Sequence, residues 1–126
     1  MGEPVPLGQF EQLVLTAILM LKGNAYGVTI HERVEELARP RRASLGAVYA
    51  TLDRLEDKGL IASWLADPTP ERGGRSKRHY RLENLGERAL KDAARTARRI
   101  SDAVEQSEGA NTWNGRVRKW KPAPQR

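Results

Sequence analysis

The sequence predicts a mainly α-helical fold with one small β-hairpin, and three observations predict it. Apolar residues recur at helical spacing in four separate stretches. Two short β-prone runs, LIASWLAD and RHYRL, flank a loop punctuated by Pro and Gly. A long stretch after the second run carries an a/d-type seam.

From Leu7 to Leu21 the residues Phe10, Leu13, Val14, Ala17, Ile18 and Leu21 share one helical face, while Leu15, Leu19 and Met20 lie off it. A helix apolar nearly all round must be covered on both sides, so part of it needs a second partner. Gly23-Asn24 separates it from AYGVTIHERVEELA, where Val28, Ile30, Val34 and Leu37 stand among charged residues. This second helix stops before Pro40 in RPRR. The third, SLGAVYATLDRLEDK over 44–58, starts at a capping serine, Ser44, and carries the stripe Leu45, Val48, Leu52 and Leu55. Its opposite side holds Ala47, Ala50 and Arg54, less relief than a plain solvent face normally shows.

The loop PTPERGGRSK joins the two β-prone runs, with Gly73-Gly74 as its turn, so the hairpin tip projects from any core. In NLGERALKDAARTARRISDAVEQ, Asn84 and Glu87 have capping-box spacing. Leu90, Ala93, Ala97, Ile100 and Val104 then follow at steps of 3, 4, 3 and 4. Such a seam is too short and alanine-rich to be stable alone and calls for another helix. From Gly109 onward the sequence mixes Gly, Pro and basic residues without periodicity, which reads as a flexible tail.

A chain of 126 residues is one small domain with an appendage. It has no cysteine, so disulfides and thiolate chemistry are excluded. The first residues carry no basic leader, and the apolar run Leu13 to Leu21 is far short of the roughly 20 residues of a membrane span. The expectation is a soluble cytoplasmic protein with no membrane partner. The net charge of +6 is localised: residues 39–82 hold ten basic and five acidic side chains, and residues 109–126 hold five basic and no acidic ones. A local basic surplus is the footprint of a polyanion partner, and equally of a solvated face with a charged tail.

Three helices, a strand, a basic loop, a strand and a long helix form the layout of a winged helix-turn-helix with a C-terminal dimerisation helix. The expected domains are 7–82 for the winged helix, 83–108 for the dimerisation helix and 109–126 for the tail. In that layout the third helix enters the DNA major groove, and Ala47 and Ala50 let its backbone approach the bases. Ser44 and the first-turn amides offer a phosphate site, and Arg54 reaches from mid-helix. Alanine also simply favours helix, so the bare face by itself leaves both readings open. Residues 72–81 add Arg72, Arg75, Lys77, Arg78 and Arg81 without an acid, suited to the backbone or an adjacent minor groove.

The stretches AYGVTI, SLGAVYATLDRLEDKGLI and PTPERGGRSKRHYRLENLGERAL resemble the PadR family of bacterial transcriptional regulators over about residues 7–106. The matching positions are Ala25-Tyr26-Gly27, Ser44-Leu45-Gly46 with Tyr49 and Leu52, and Glu71-Arg72-Gly73-Gly74-Arg75. The resemblance implies a homodimer on a pseudo-palindromic operator, its last helix packed on the partner's first helix, most simply as a repressor. Where the family often has Thr-Pro before the glycine of the last helix, this chain has Glu83-Asn84, and Ala50 replaces a frequent proline. In the family the tyrosines equivalent to Tyr26 and Tyr49 lie near the DNA backbone, although a tyrosine at a core edge needs no ligand.

The DNA-contact set is therefore Tyr26, Arg42, Ser44, Gly46, Ala47, Tyr49, Ala50, Arg54, Arg72, Arg75, Lys77 and Arg78. The dimer set is Leu15, Leu19, Leu90, Ala93, Ala97, Ile100 and Val104. Trp64 lies opposite Ile61, Ser63 and Leu65 in strand phase, placing it beneath the wing or at a ligand pocket. Trp113 and Trp120 fall in the tail. Two histidines, His31 and His79, and no hydrolase, metalloprotease or phosphate-loop motif leave no nucleophile, base and orienter together. Neither catalysis, a cofactor nor a metal is expected. Double-stranded DNA and a second copy are the expected partners, with a small-molecule effector left open. The alternative is a winged helix that scaffolds proteins or dimers without specific DNA binding.

Overall fold

The computed structural model describes residues 5–67 and 76–112, with side chains described to residue 108. Four helices, Gln9–Leu21 (α1), Gly27–Ala38 (α2), Leu45–Asp57 (α3) and Asn84–Thr112 (α4), accompany two strands, Ile61–Leu65 (β1) and Arg78–Leu82 (β2). The fold is mainly helical with a two-stranded antiparallel hairpin, as the periodicities predict.

Glu11 anchors the start of α1 from two sides. Its Oε1 accepts the Gly8 N–H at 3.0 Å, satisfying a free amide of the first turn. Its Oε2 accepts from Lys58 Nζ at 2.8 Å, tying α1 to the end of α3. The Lys58 hydrogen bond, helped by the Gly8 N–H, holds the Glu11 carboxyl below its ordinary pKa although burial pushes the other way.

The core gathers Val14, Leu15, Ala17 and Ile18 of α1, Ile30 and Val34 of α2, and Val48, Leu52 and Leu55 of α3. Leu60, Ile61 and Tyr80 close it from the hairpin side. Leu15 is fully buried here, which corrects its expected place on a surface left for a second chain. The reason is that α1 meets α2, α3 and β2, so more of its circumference is covered than one stripe. Leu45, on the apolar stripe expected of α3, is instead exposed, and so are Val28 and Leu37 of α2.

α3 ends in a Schellman arrangement. Gly59 has φ 78°, the left-handed conformation that a side chain resists. Its N–H donates to the Glu56 carbonyl at 2.9 Å and the Leu60 N–H donates to the Leu55 carbonyl at 3.0 Å. The chain thereby reverses into β1 with Leu55 and Leu60 both buried. β1 pairs with β2 in the register Ile61 to Leu82, Ser63 to Tyr80 and Leu65 to Arg78. The hairpin is joined to the helices where the Tyr80 N–H donates to the Ala25 carbonyl at 2.9 Å.

The chain divides into two compact units, residues 1–93 and 94–126. In the first, Glu83 N–H donates to the Leu60 carbonyl at 2.9 Å, and Gly86 lies so close that a Cβ there would overlap that same oxygen. Ala89 is buried and Leu90 packs on the core. Asn84 is the first helical residue rather than the cap, because the Glu87 N–H already donates to the Glu83 carbonyl. In the second unit α4 runs to Thr112, beyond the boundary at 108 that the sequence suggests. Its Ile100 and Val104 are exposed. Trp113 and Trp120 lie outside the described residues.

Candidate nucleic-acid interface

The outer side of α3 is built as its sequence implies. Ser44 caps the helix, its Oγ accepting the Ala47 N–H at 3.0 Å. Gly46, Ala47, Ala50 and Arg54 are exposed, so small side chains leave the backbone approachable over the first two turns. Arg54 Nη2 donates to the buried Thr51 hydroxyl at 3.1 Å, which holds the guanidinium along the helix. Asp53 is also exposed on this side. A local basic surplus does not mark a single acid standing among the cations.

Tyr49 is 44% exposed, and its ring and hydroxyl lie where a Cβ on Gly27 would be. Glycine at the first position of α2 is thus what lets α3 close on α2. Tyr26, just before it, presents its N–H to Thr29 Oγ1 at 3.0 Å, and its ring is part of a ladder. Lys77 Nζ sits 4.3 Å from the Tyr26 centroid. The His79 ring lies 5.3 Å from the Tyr26 ring, and Trp64 stands 5.8 Å from His79. Arg81 closes the ladder over Trp64 at 5.7 Å. The structure therefore brings Tyr26, Tyr49 and Lys77 to one region, between α2 and the base of the hairpin. Trp64, which strand phase sets beneath the wing or at a pocket, meets His79 here, and His79 joins the ladder without having been assigned a contact by the sequence.

Arg78 is exposed but committed: its Nη1 donates to Ser63 Oγ at 3.0 Å, and Ser63 in turn donates to Glu56 Oε2 at 2.7 Å. Arg42 is likewise engaged, its Nε donating to Glu35 Oε2 at 3.1 Å while its side chain stays 86% exposed. Glu35 is held below its ordinary pKa by the Ala43 N–H first and Arg42 second. Arg72 and Arg75 lie outside the described residues. Of the dimer set, Leu19 is half exposed and Leu90 and Ala93 are partly buried in the first unit. Ala97, Ile100 and Val104 are exposed in the second.

Among the described residues no group of His, Cys, Asp or Glu could hold a metal, and no helix is long and apolar enough to cross a membrane.

A family model described as the transcriptional regulator PadR-like family matches residues 15–92. None of the curated proteins matches the chain. Among solved structures, a PadR family transcription regulator from hypervirulent Clostridium difficile R20291 is 28% identical, with a TM-score of 0.66 over 79% of this chain and 97% of that one. A PadR-like transcriptional regulator from Bacillus cereus is 20% identical, with a TM-score of 0.64 over 76% of this chain and 87% of that one. Bacillus subtilis PadR, solved in complex with operator DNA, is 24% identical with a TM-score of 0.58, and the match covers 71% of this chain and 48% of that one.

Proposed function

Since the chain belongs to the PadR-like family of transcriptional regulators, we propose that it is a homodimeric repressor that binds a specific duplex operator. The observation that carries this reading is the low, exposed face of α3, with Tyr26 and Lys77 beside the Gly27–Tyr49 contact. In this reading α3 lies in the major groove, with the first-turn amides beyond Ser44 directed at a phosphate. Ala47, Ala50 and Gly46 permit close approach, and Arg54 and Asp53 are the polar groups able to meet base edges, Asp53 as an acceptor for cytosine N4. Tyr26 and Tyr49 donate to phosphates. Arg72, Arg75, Lys77 and Arg78 of the wing follow the backbone or the minor groove, on the grounds of sequence and charge.

So few base-reading side chains on α3 imply that affinity comes mostly from phosphates, and specificity from groove fit, half-site spacing and DNA shape. The dimer joins Leu19 of one chain to the α4 seam of Ala93, Ala97, Ile100 and Val104 of another. The working domains are 7–82 and 83–108, the site of action is the cytoplasm, and a small-molecule effector is an additional partner without an assigned site.

The test is a mobility shift with DNA upstream of the protein's own gene, against an excess of random duplex. A retarded band that survives the competitor supports the reading. A band lost to competitor, or none, leaves a protein-contact scaffold as the better account. Light scattering that gives a monomer at micromolar concentration would remove the roles of Leu19 and the α4 seam.

A further inference from the structure

The turn between α2 and α3, Arg39 to Ala43, offers the core only the partly buried Ala43. It is nevertheless fixed at its last residue by two side chains one helical turn apart on α2. Glu35 Oε2 accepts the Ala43 N–H at 2.7 Å. His31 Nε2 lies 2.7 Å from the Ala43 carbonyl oxygen, and since a carbonyl only accepts, Nε2 carries the proton and donates. Both backbone polar groups of the residue preceding the Ser44 cap are thereby gripped by α2. The gripping side chains are mostly shielded, with side-chain exposures of 25% for His31 and 22% for Glu35.

Glu35 has a second role in the same contact. It takes Arg42 along one edge of the guanidinium, Nε at 3.1 Å and Nη2 at 3.4 Å. The planar fork has a further edge, and the side chain is largely in solvent. Arg42 is thus held in place with donors still facing outward, a short way before the N-terminus of α3.

We propose that His31 and Glu35 are positioning residues of the DNA interface: they set the direction in which α3 leaves the turn, and Glu35 presents the outer edge of Arg42 to a phosphate. The inference rests on the DNA-binding reading of α3. It assigns work to a histidine that makes no sense as a catalyst. It also gives a purpose to the pairing of Arg42, in a basic turn, with an acid on α2. Recognition by a nearly bare helix depends on placement, and a binding constellation needs to be held to within about 0.5 Å by supporting contacts.

Glu36 supplies the control. It pairs with Arg33 at 3.0 Å on the same helix, so Glu36→Ala removes the same charge without touching the turn. The experiment measures affinity by fluorescence anisotropy for the upstream duplex and for a random duplex of equal length, with thermal melts alongside. For the wild type the ratio exceeds one; a ratio of one refutes the DNA reading itself and this inference with it. Given that preference, Glu35→Ala lowers the ratio by about three- to tenfold, because a charge-assisted hydrogen bond to the backbone is lost. Glu36→Ala leaves it within about twofold, since its only electrostatic effect is on both duplexes alike. Glu35→Gln, which folds with the same volume and keeps an acceptor for Ala43, falls between. His31→Gln, whose amide can still donate, retains more of the ratio than His31→Ala. In affinity for the upstream duplex itself, where a phosphate contact registers, adding Arg42→Ala to Glu35→Ala costs less than Arg42→Ala alone. Equal ratios for Glu35→Ala and Glu36→Ala, or losses at Glu35 and Arg42 that multiply independently, overturn the proposal.

Discussion

Replacing Gly27 by alanine predicts effects of opposite sign in two backgrounds, which makes it a sharp test of how α2 and α3 are locked. A Cβ at Gly27 would overlap the ring and hydroxyl of Tyr49, so the ring has to swing away. Tyr49 is already 44% exposed, so the swing forfeits only the buried remainder. For roughly 100 Å² of ring surface at about 25 cal/mol per Å², that is at most about 2.5 kcal/mol. Alanine in place of glycine returns up to about 1 kcal/mol through backbone entropy and helix propensity. The net expectation is a loss of about 1 to 2 kcal/mol, and each kcal/mol lowers Tm by about 4 to 8 °C in a domain of this size. In a Tyr49→Ala background the obstacle is gone, and the same substitution stabilises by a few tenths of a kcal/mol. Urea melts of the wild type, the two single variants and the double variant give the coupling directly. An equal effect of Gly27→Ala in both backgrounds would refute the contact and, with it, the placement of Tyr49 beside Tyr26.

Other expectations follow from the same geometry. The folded pKa of Glu11 is lowered, so its contribution is present above the ordinary carboxylate value and disappears as pH falls through the folded value. Wild type is therefore more stable than Glu11→Gln near neutral pH, and thermal melts show the gap closing on acidification below the ordinary carboxylate value. Gly86→Ala meets the Leu60 carbonyl, a backbone atom that cannot swing aside, and disturbs the Glu83 hydrogen bond to it. It costs about 2 to 3 kcal/mol in urea melts, more than Gly27→Ala. Joint replacement of Arg72, Arg75 and Lys77 by alanine weakens DNA binding and reduces the slope of log affinity against log salt by about 2 to 3; an unchanged slope removes the wing from the mechanism.

What the sequence made legible is what periodicity controls. Val48, Leu52 and Leu55 fall on one stripe, and all three are buried. RHYRL reads as a strand and is β2, residue for residue. The departures have physical causes. Leu15 shares no stripe with Val14 and Ile18, yet a helix with neighbours on several sides buries more than a stripe. Leu45 shares the α3 stripe but sits at its first turn, beyond the edge of the core, and is exposed. The candidate interface was legible where composition speaks, in Ala47, Ala50 and the exposed Arg54. It was not legible where a backbone group is the partner. His31 and Glu35 have the spacing of residues on one helix face, but no side-chain pattern marks the amide and carbonyl of Ala43 as their target. Nor does any pattern in the chain show that Trp64 meets His79, which follows only from the register of the two strands.

The most direct test of the central claim is an anisotropy titration of the upstream duplex and a random duplex over a range of salt concentrations. The account predicts tighter binding to the upstream duplex at every salt concentration, and a steep inverse dependence on salt for both, since phosphate contacts carry most of the affinity. Equal affinity for the two duplexes, or binding indifferent to salt, would contradict it.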